Sequence, residues 1–382
     1  MDKLNESNNF PLIHSQATMF FSSKIFTSFT VVSKIVGVLV GCLFLSCSWA
    51  VAQNLGGRSS FNFVKLPQNP RIAALGGMNV SATTQDVNMF WQNPALAHAD
   101  NHRQLSLNYT GYYAGISQLC TTFGWHHART GNWSAGIQYL NYGTIQGYDA
   151  LGNPTNSFSA TDYALALGYA KQVGVFSLGG SIKFVNSQIA GYGSSALLVD
   201  MGGAFIHPKH DFRVGMVVKN VGFALSNYTA VNNFTMPFDV QVGTSFKPKK
   251  MPFRLSFTVH HFYPTDIIYD NPSIANATDE NGNPIHQSPS FVEKLTSRFV
   301  VGTEIILSNN FQVRAGYNFL TRRELGIQGV SKGLTGLSLG FMLRLKAFEC
   351  NYAYSVQHIA GAVHTIGLTV DTKKLFAPKN SN

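Results

Sequence analysis

Alternation of large apolar residues with small or polar ones runs through the chain from residue 104 and constrains its fold more than any other feature. In "TDYALALGYA", the large side chains of Tyr163, Leu165, Leu167 and Tyr169 alternate with alanine or glycine. "FSLGGSIKFV" and "LTGLSLGFMLRLK" repeat this period of two. Because successive side chains of a strand point to opposite faces, such segments are predicted β-strands with one apolar face.

Composition favours a membrane as the surroundings of these strands. Hydrophobic residues make up 45% of the chain and charged residues only 12%, about half the charged share of soluble domains. After residue 52 no apolar run approaches the roughly 20 residues of a spanning helix. A closed barrel satisfies its backbone groups without such helices. We predict an all-β fold, a transmembrane antiparallel β-barrel in outer-membrane lipid. A soluble sandwich would need more polar outer faces.

About fourteen segments show the alternation, and an even number is typical of single-chain bacterial barrels. Their predicted spans are 104–111, 116–128, 133–145, 161–171, 174–191, 194–206, 211–221, 236–247, 252–263, 295–307, 310–319, 334–345, 347–357 and 362–371.

The connections between these segments differ in length in a regular way. Every second one is short, for example "RTGN" at residue 129. The intervening ones are often long, notably 146–160, 222–235, 264–294 and 320–333. Outer-membrane barrels have short periplasmic turns and longer extracellular loops. The barrel at 104–371 is therefore predicted to expose its long loops, with the basic tail at 372–382 in the periplasm.

The N-terminal residues 1–52 are predicted to be a signal peptide, with a possible upstream extension. Lys24 and Lys34 precede or flank an apolar run that closes on Ala50-Val51-Ala52, a small-x-small cleavage pattern. The mature chain would then begin at Gln53. A lipoprotein cleavage at Cys42 is the alternative, although the apolar run continues beyond that residue.

Two cysteines remain after the signal peptide, Cys120 on the second predicted strand and Cys350 on the thirteenth. Around a closed barrel of fourteen strands they are three strands apart, roughly 14 Å at about 4.8 Å per strand. A disulfide needs Cα atoms within about 7 Å. We predict two free thiols.

Residues 53–103 precede the first strand and are too few for a core of their own, so we predict an N-terminal plug inside the barrel. Its most unusual stretch is "VNMFWQNPALAH", in which Phe90 and Trp91 stand just before Asn93-Pro94-Ala95. Asn93 precedes a proline and is disfavoured from helix, but it can cap a turn that begins at Pro94. These five residues are the predicted plug contacts.

Several of these runs together carry a family resemblance. "FNFVKLPQNPRIAALGGMNVS…DVNMFWQNPALA" before a wall of about fourteen strands resembles the FadL-like outer-membrane barrels, in which an N-terminal hatch with an Asn-Pro-Ala turn fills the pore. With "LSLNYTGYYAGI" added, the pattern is most similar to the PorQ-type, PorV-related barrels of the Bacteroidetes type IX secretion system. The resemblance covers essentially 53–370. The C-terminus departs from it, because no aromatic residue ends the last strand.

The resemblance implies a non-enzymatic component of protein secretion. Such a barrel would anchor a PorZ-like surface protein, in an attachment complex with a PorU-like sortase and a PorV-like shuttle. The alternative function is that of a FadL-like transporter of hydrophobic small molecules. A transporter is expected to have an apolar pocket in the lumen and a kinked strand at a lateral opening. The inward positions read from sequence are small or polar, which favours the anchor.

The longest connection, 264–294, is the predicted partner-contact loop, since long loops without secondary structure tend to be functional. Its acidic residues are the candidate contacts: Asp266, Asp270, Asp279 and Glu280. A calcium site at Asp279, Asn281 and Asn283 is conceivable, but a turn is the favoured interpretation of these residues.

No motif for catalysis or for a cofactor is recognisable. The adjacent pairs His126-His127 and His260-His261 are expected to point to opposite faces of a strand, so neither is predicted to bind a metal. The net charge of +10 falls mostly in turns and in the tail. It fits lipid headgroups better than a nucleic acid.

Overall fold

The computed structural model describes residues 59–82, 85–229, 235–262, 290–324, 333–358 and 361–375. Within these residues, fourteen antiparallel strands close into one barrel, and this confirms the predicted fold class. Each strand pairs with its neighbours in the chain. Closure joins β1 to β14, in a register that runs from Gln104↔Asp371 to Gly111↔His364.

The strands are β1 Gln104–Gly111, β2 Ser117–His127, β3 Gly131–Ile145, β4 Phe158–Val173, β5 Phe176–Ile189, β6 Tyr192–Ile206, β7 Asp211–Ser226, β8 Asp239–Lys247, β9 Phe253–Val259, β10 Phe299–Ile306, β11 Phe311–Asn318, β12 Leu337–Leu345, β13 Phe348–His358 and β14 Gly361–Asp371. Short helices and 3-10 turns occur at Asn62–Lys65, Pro70–Ala74, Val87–Trp91, Pro94–Leu96, Ala99–Asn101, Tyr113–Gly115, Phe291–Thr296, Phe319–Glu324 and Thr372–Leu375.

The outer surface of the barrel is apolar. On β4, Leu165 and Leu167 are exposed, whereas Ala164 and Ala166, which alternate with them, are buried. Large apolar side chains are exposed in the same way on strands around the wall, as is required of a surface that faces lipid. The protein is therefore an outer-membrane barrel. Among the described residues, no helix is long and apolar enough to cross a membrane.

The length of the connections distinguishes the two ends of the barrel. Short turns join β2 to β3, β4 to β5, β6 to β7, β8 to β9, β10 to β11 and β12 to β13. The same end carries Gln104 and Asp371, the first and last residues of the wall. Because outer-membrane barrels keep short turns in the periplasm, we call this end the periplasmic rim and the opposite end the extracellular rim.

Both remaining cysteines are free thiols, as predicted. Cys120 is buried on the inner face of β2, opposite Asn108 of β1. Cys350 is exposed on the outer face of β13, opposite Leu368 of β14. The two side chains thus lie on opposite faces of the wall as well as on strands that do not pair.

The core of the protein is the lumen, which residues 59–82 and 85–103 occupy. Towards the extracellular rim, Phe61, Phe63 and Val64 pack against Leu140 and Leu198 of the wall. A second apolar cluster forms deeper in the plug from Ile72, Ala82, Met89, Ala95, Leu96 and Ala204. A short N-terminal segment therefore gains its core by using the inner wall as the other half.

Candidate functional site

The Asn-Pro-Ala turn lies against the inner face of β5 and β6. Pro94–Leu96 forms one 3-10 turn, and Asn93 caps it with extended backbone dihedrals. The Asn93 Oδ1 atom accepts a hydrogen bond from the Ala95 amide at 3.0 Å, and its Nδ2 donates to the Val80 carbonyl at 3.0 Å. Ser177 of β5 donates to the Ala95 carbonyl at 2.7 Å. The Asn93 side chain thus fixes the shape of this turn, and the Ser177 hydroxyl bonds it to the wall.

Phe90 and Trp91 are buried next to this turn. Their ring centroids are 4.9 Å apart, and both pack against Ala166, Ala170 and Cys120 of the wall. The Trp91 indole donates to Thr122 Oγ1 at 2.9 Å, so the polar edge of the ring is satisfied. The structure brings all five predicted plug residues into contact with the wall over β2–β6.

Glycines on the inner wall make room for the plug. A Cβ atom at Gly202 would lie 1.9 Å from Asn93 Oδ1, and one at Gly179 would lie 2.6 Å from the Ala95 amide nitrogen. Eleven strands carry an inward glycine at which a Cβ atom would come within 3 Å of the plug: Gly124, Gly136, Gly168, Gly179, Gly202, Gly215, Gly243, Gly302, Gly316, Gly340 and Gly367. We call this set the glycine belt.

Sequence analysis missed the glycine belt, although the signal was present. The chain has 35 glycines, and the alternation identifies them only as small residues between large apolar ones. Glycine stands at inward positions of the alternation, where Ala or Ser would serve equally well in an empty lumen. Close approach of another backbone is the usual reason for glycine inside a strand.

A buried ion cluster joins the plug to strands β9–β11, on another part of the wall from β5 and β6. Arg71 of the Pro70–Ala74 helix pairs with Glu304 of β10 at 2.8 Å. Arg254 of β9 and Arg314 of β11 approach the same carboxylate at 3.2 and 3.3 Å. Breaking such a buried pair by removing one partner costs about 3–5 kcal/mol. The cluster therefore fixes the plug against β9–β11.

Amide side chains of the wall satisfy the backbone of the first plug segment. Gln138 donates to the Phe63 carbonyl at 2.8 Å, and Gln118 donates to the Pro67 carbonyl at 2.8 Å. Within the plug, Gln92 donates to Gln68 Oε1 at 2.8 Å. Side chains of the wall thus add hydrogen bonds to buried carbonyls of the plug.

A β-bulge in β7 turns two consecutive side chains towards the lumen. Asn220 has a positive φ of 59°, and both Lys219 and Asn220 are buried. Lys219 Nζ donates to the Trp91 carbonyl at 3.0 Å, while the backbone N–H of Asn220 donates to Asp200 Oδ1 at 2.8 Å. The bulge therefore gives β7 an extra contact with the plug.

An apolar pocket of about 340 Å³ lies at the extracellular end of the lumen. Its lining joins the plug, the β1–β2 connection, β3 and β13: Asn62, Phe63, Leu66, Tyr112, Tyr113, Ile116, Leu140, Tyr142 and Gln357. We call it the outer pocket. The plug and the β1–β2 connection supply most of its apolar side chains, so small or polar inward positions on the strands do not exclude an apolar pocket.

The three tyrosines of the outer pocket differ in hydrogen bonding. Tyr113 donates to the Gly361 carbonyl at 2.7 Å, and Tyr142 donates to Asp162 Oδ2 at 2.6 Å. The Tyr112 hydroxyl is buried and bonds no other described residue. Burial raises the pKa of Tyr112 above its usual range, so this hydroxyl stays neutral. Tyr112 is therefore available to bond a molecule in the pocket.

The wall is irregular beside the outer pocket. The β3–β4 register steps from Asn141↔Thr161 to Thr144↔Ser159, so Tyr142 and Gly143 together oppose one residue of β4. Gly143 has a positive φ of 75°. Pairing of β3 with β2 ends at Asn141. Beyond this point β3 has one strand neighbour instead of two.

The prediction that His260 and His261 point to opposite faces of a strand is wrong. β9 ends at Val259, and His261 has a positive φ of 51°, so the two side chains do not alternate across a strand. Their Nδ1 atoms lie 2.5 Å apart. His126 and His127 do lie on β2. No group of three or more potential metal ligands occurs in the described part of the chain.

Several predicted features lie outside the described residues. These are the signal peptide at 1–52, the residues 376–382 of the tail, and the acidic loop residues Asp266, Asp270, Asp279 and Glu280. The partner contact and the processing site therefore stay predictions.

Several solved structures are similar to this barrel. The "TodX deltaS2S3 mutant monoaromatic hydrocarbon channel" has a TM-score of 0.50 and 13% identity, over 80% of this chain and 98% of that chain. The Pseudomonas putida toluene transporter TodX has a TM-score of 0.48 and 11% identity, over 80% and 97%. A Pseudomonas aeruginosa FadL homologue has a TM-score of 0.43 and 10% identity, over 80% and 98%.

No family model and no curated protein matches the sequence. At these identities the structural likeness establishes the fold alone. The fold is similar to that of the monoaromatic hydrocarbon channel.

Proposed function

We propose that the protein is an outer-membrane channel for hydrophobic small molecules. The observation that carries this proposal is the outer pocket. Its volume of about 340 Å³ lies within the usual range for small-molecule sites. Seven of its nine lining side chains are apolar or aromatic. A one-ring aromatic molecule that buries roughly 150 Å² there gains about 4 kcal/mol, which corresponds to millimolar affinity and suits a molecule that must leave again.

The β3 bulge supports the same proposal. A transporter was expected to combine an apolar pocket with a kinked strand, and Tyr142 of the bulge is itself part of the pocket lining. Between Asn141 and Ile145, β3 lacks its β2 neighbour. A molecule in the pocket therefore lies next to the end of β3 that pairs with β4 but not with β2.

The names of similar structures agree with this class of cargo. They include a monoaromatic hydrocarbon channel and a toluene transporter. The sequence likeness to them is low, so the proposal depends on the pocket of this chain.

The test is uptake of radiolabelled toluene by cells that produce the full chain. Ile116→Trp places a large side chain in the outer pocket, and we expect it to lower uptake several-fold. Leu119→Trp is the matched control, because Leu119 faces lipid on β2 and is 49% exposed. Uptake no higher than in cells without the protein, or an equal effect of both substitutions, would refute the proposal.

The surface-anchor function implied by the PorQ-type resemblance stays a second proposal. In it, the protein is a type IX secretion component that holds a PorZ-like partner, together with PorU-like and PorV-like proteins. Its candidate contacts lie in the loop that the structure leaves undescribed. The two proposals are separable, because the anchor needs the outer loops and the channel needs the outer pocket.

A further inference from the structure

A second cavity, of about 280 Å³, lies at the periplasmic end of the lumen between the plug and β8–β13. It shares no lining residue with the outer pocket. Two carboxylates, Asp86 and Glu349, belong to its lining. Five cations face them: Arg71, Lys247, Arg254, Arg314 and Arg344. We call it the basic cavity.

The carboxylates around the basic cavity do not balance its cations. Glu304 is shared by three arginines, and Arg254 also pairs with Asp211 at 3.1 Å. Arg344 pairs with Glu349 at 2.5 Å. Arg213 approaches Asp211 at 3.5 Å. Counted over the described residues, the group then holds six cations and the four carboxylates of Asp86, Asp211, Glu304 and Glu349, an excess of two positive charges. Lys247 forms no ion pair with another described residue.

Burial makes this excess costly. Arg314 and Arg71 are 3% and 5% exposed, and both share the one Glu304 carboxylate with Arg254. Taking each such charge out of water costs several kcal/mol of hydration. Burial also raises the pKa of the Asp86 carboxyl, because desolvation disfavours its charged form. A phosphate group carries a charge of about −1.5 to −2 at neutral pH. Its oxygens accept hydrogen bonds from several guanidinium groups at once.

We propose that the basic cavity binds a soluble phosphate dianion or a small phosphate monoester from the periplasm. The charge of such a ligand matches the excess of two. A phospholipid headgroup is the other source of this chemistry, but the cavity lies on the lumen side of the wall. The volume leaves room for a phosphate group with a small organic substituent.

Binding there would also hold the plug in place. Arg71 and Asp86 belong to the plug, whereas Lys247, Arg254 and Arg314 belong to the wall. A bound anion that bonds both sides stabilises the closed arrangement, because a ligand that binds only the folded state raises its stability.

The experiment uses the purified full chain in a neutral detergent. Unfolding by denaturant is followed while inorganic phosphate is titrated against sodium chloride of equal ionic strength. We expect stabilisation that saturates with phosphate. Lys247→Gln should weaken the apparent affinity about tenfold, the effect of losing one hydrogen bond to a charged group. Lys249→Gln, an exposed lysine of the same turn, should change it less than about twofold.

Three results would overturn the proposal. If phosphate stabilises the protein no more than chloride does, the cavity has no phosphate site. If Lys249→Gln weakens the effect as much as Lys247→Gln, the effect is screening at the rim. Nanodiscs with and without phosphatidylglycerol separate the two sources. Stabilisation that requires this lipid and is lost in Lys247→Gln would assign the site to a headgroup instead. None of these results depends on toluene uptake.

Discussion

The glycine belt allows a sharp test of how the plug is held. In Gly202→Ala, the new Cβ would lie 1.9 Å from Asn93 Oδ1 and 3.2 Å from Pro94 Cδ, so the Asn-Pro-Ala turn must move. Overpacking of this kind costs about 1–3 kcal/mol. Displacing Asn93 also removes a cap worth about 1 kcal/mol and leaves its buried amide without full hydrogen bonding, at about 1–3 kcal/mol. Since these terms overlap, we expect a loss of about 2–5 kcal/mol.

Gly203→Ala is the matched control. It introduces the same methyl group at the next residue of β6, where the nearest atom would be Leu178 Cδ2 at 3.7 Å. Its backbone φ, like that of Gly202, is not positive. This substitution should be neutral or stabilising by about 0.4–1 kcal/mol, because alanine has less freedom in the unfolded chain.

The assay is denaturant unfolding in detergent, followed by tryptophan fluorescence, to which Trp91 contributes from within the plug. A parallel assay measures the leakage of a hydrophilic antibiotic into cells that produce each variant. We expect a lower midpoint and greater leakage for Gly202→Ala only. If the two variants differ in stability by less than about 0.5 kcal/mol and leak equally, the turn does not rest on Gly202 as described.

Three further predictions concern Tyr112, Asp86 and the loop at 266–290. Tyr112→Phe should weaken the binding of a phenol about five- to tenfold while leaving toluene binding equal or tighter, as measured by equilibrium dialysis; an equal effect on both ligands would contradict a role for the hydroxyl. Burial raises the pKa of Asp86, so the wild-type protein loses stability as pH rises from the unfolded value of about 3.9 to the native pKa. Asp86→Asn should therefore raise the unfolding midpoint at pH 8 and have no such effect below pH 3.5; a gain independent of pH would show that charge is not the cause. Deletion of 266–290 should release a PorZ-like partner into the medium with the barrel intact, and continued surface retention would exclude that loop as the contact.

The strands were predictable because one face of each meets lipid and the other meets a crowded lumen. That contrast places large and small residues alternately, so the fourteen strands and the short turns could be read directly. The bounds were less accurate. The strand predicted at 174–191 is Phe176–Ile189, because its last two predicted residues form a tight hairpin turn with positive φ at Ala190 and Gly191.

The outer pocket was not predictable, because its residues meet only in the folded chain. Phe63 and Leu140 are far apart in sequence, and Tyr112 lies in a connection that shows no alternation. The β7 bulge was missed for a related reason. The sequence around Lys219 and Asn220 still suggests regular alternation, and only the contacts with Asp200 and Trp91 account for the extra residue.

The glycine belt and the outer pocket divide the plug into two parts. All plug atoms that would meet a Cβ atom added at the belt belong to residues between Pro70 and Asn101. The segment at 59–68 meets none of these glycines, and it contributes Phe63 and Leu66 to the outer pocket. Displacing this first segment would break the bonds from Gln138, Gln118 and Gln92, the Ser60–Thr235 backbone bond and one apolar cluster. Removing the second part would require the Arg71–Glu304 cluster to separate and would leave empty space along eleven strands. If the proposed channel opens, it therefore opens at the extracellular end around a plug that otherwise stays in place.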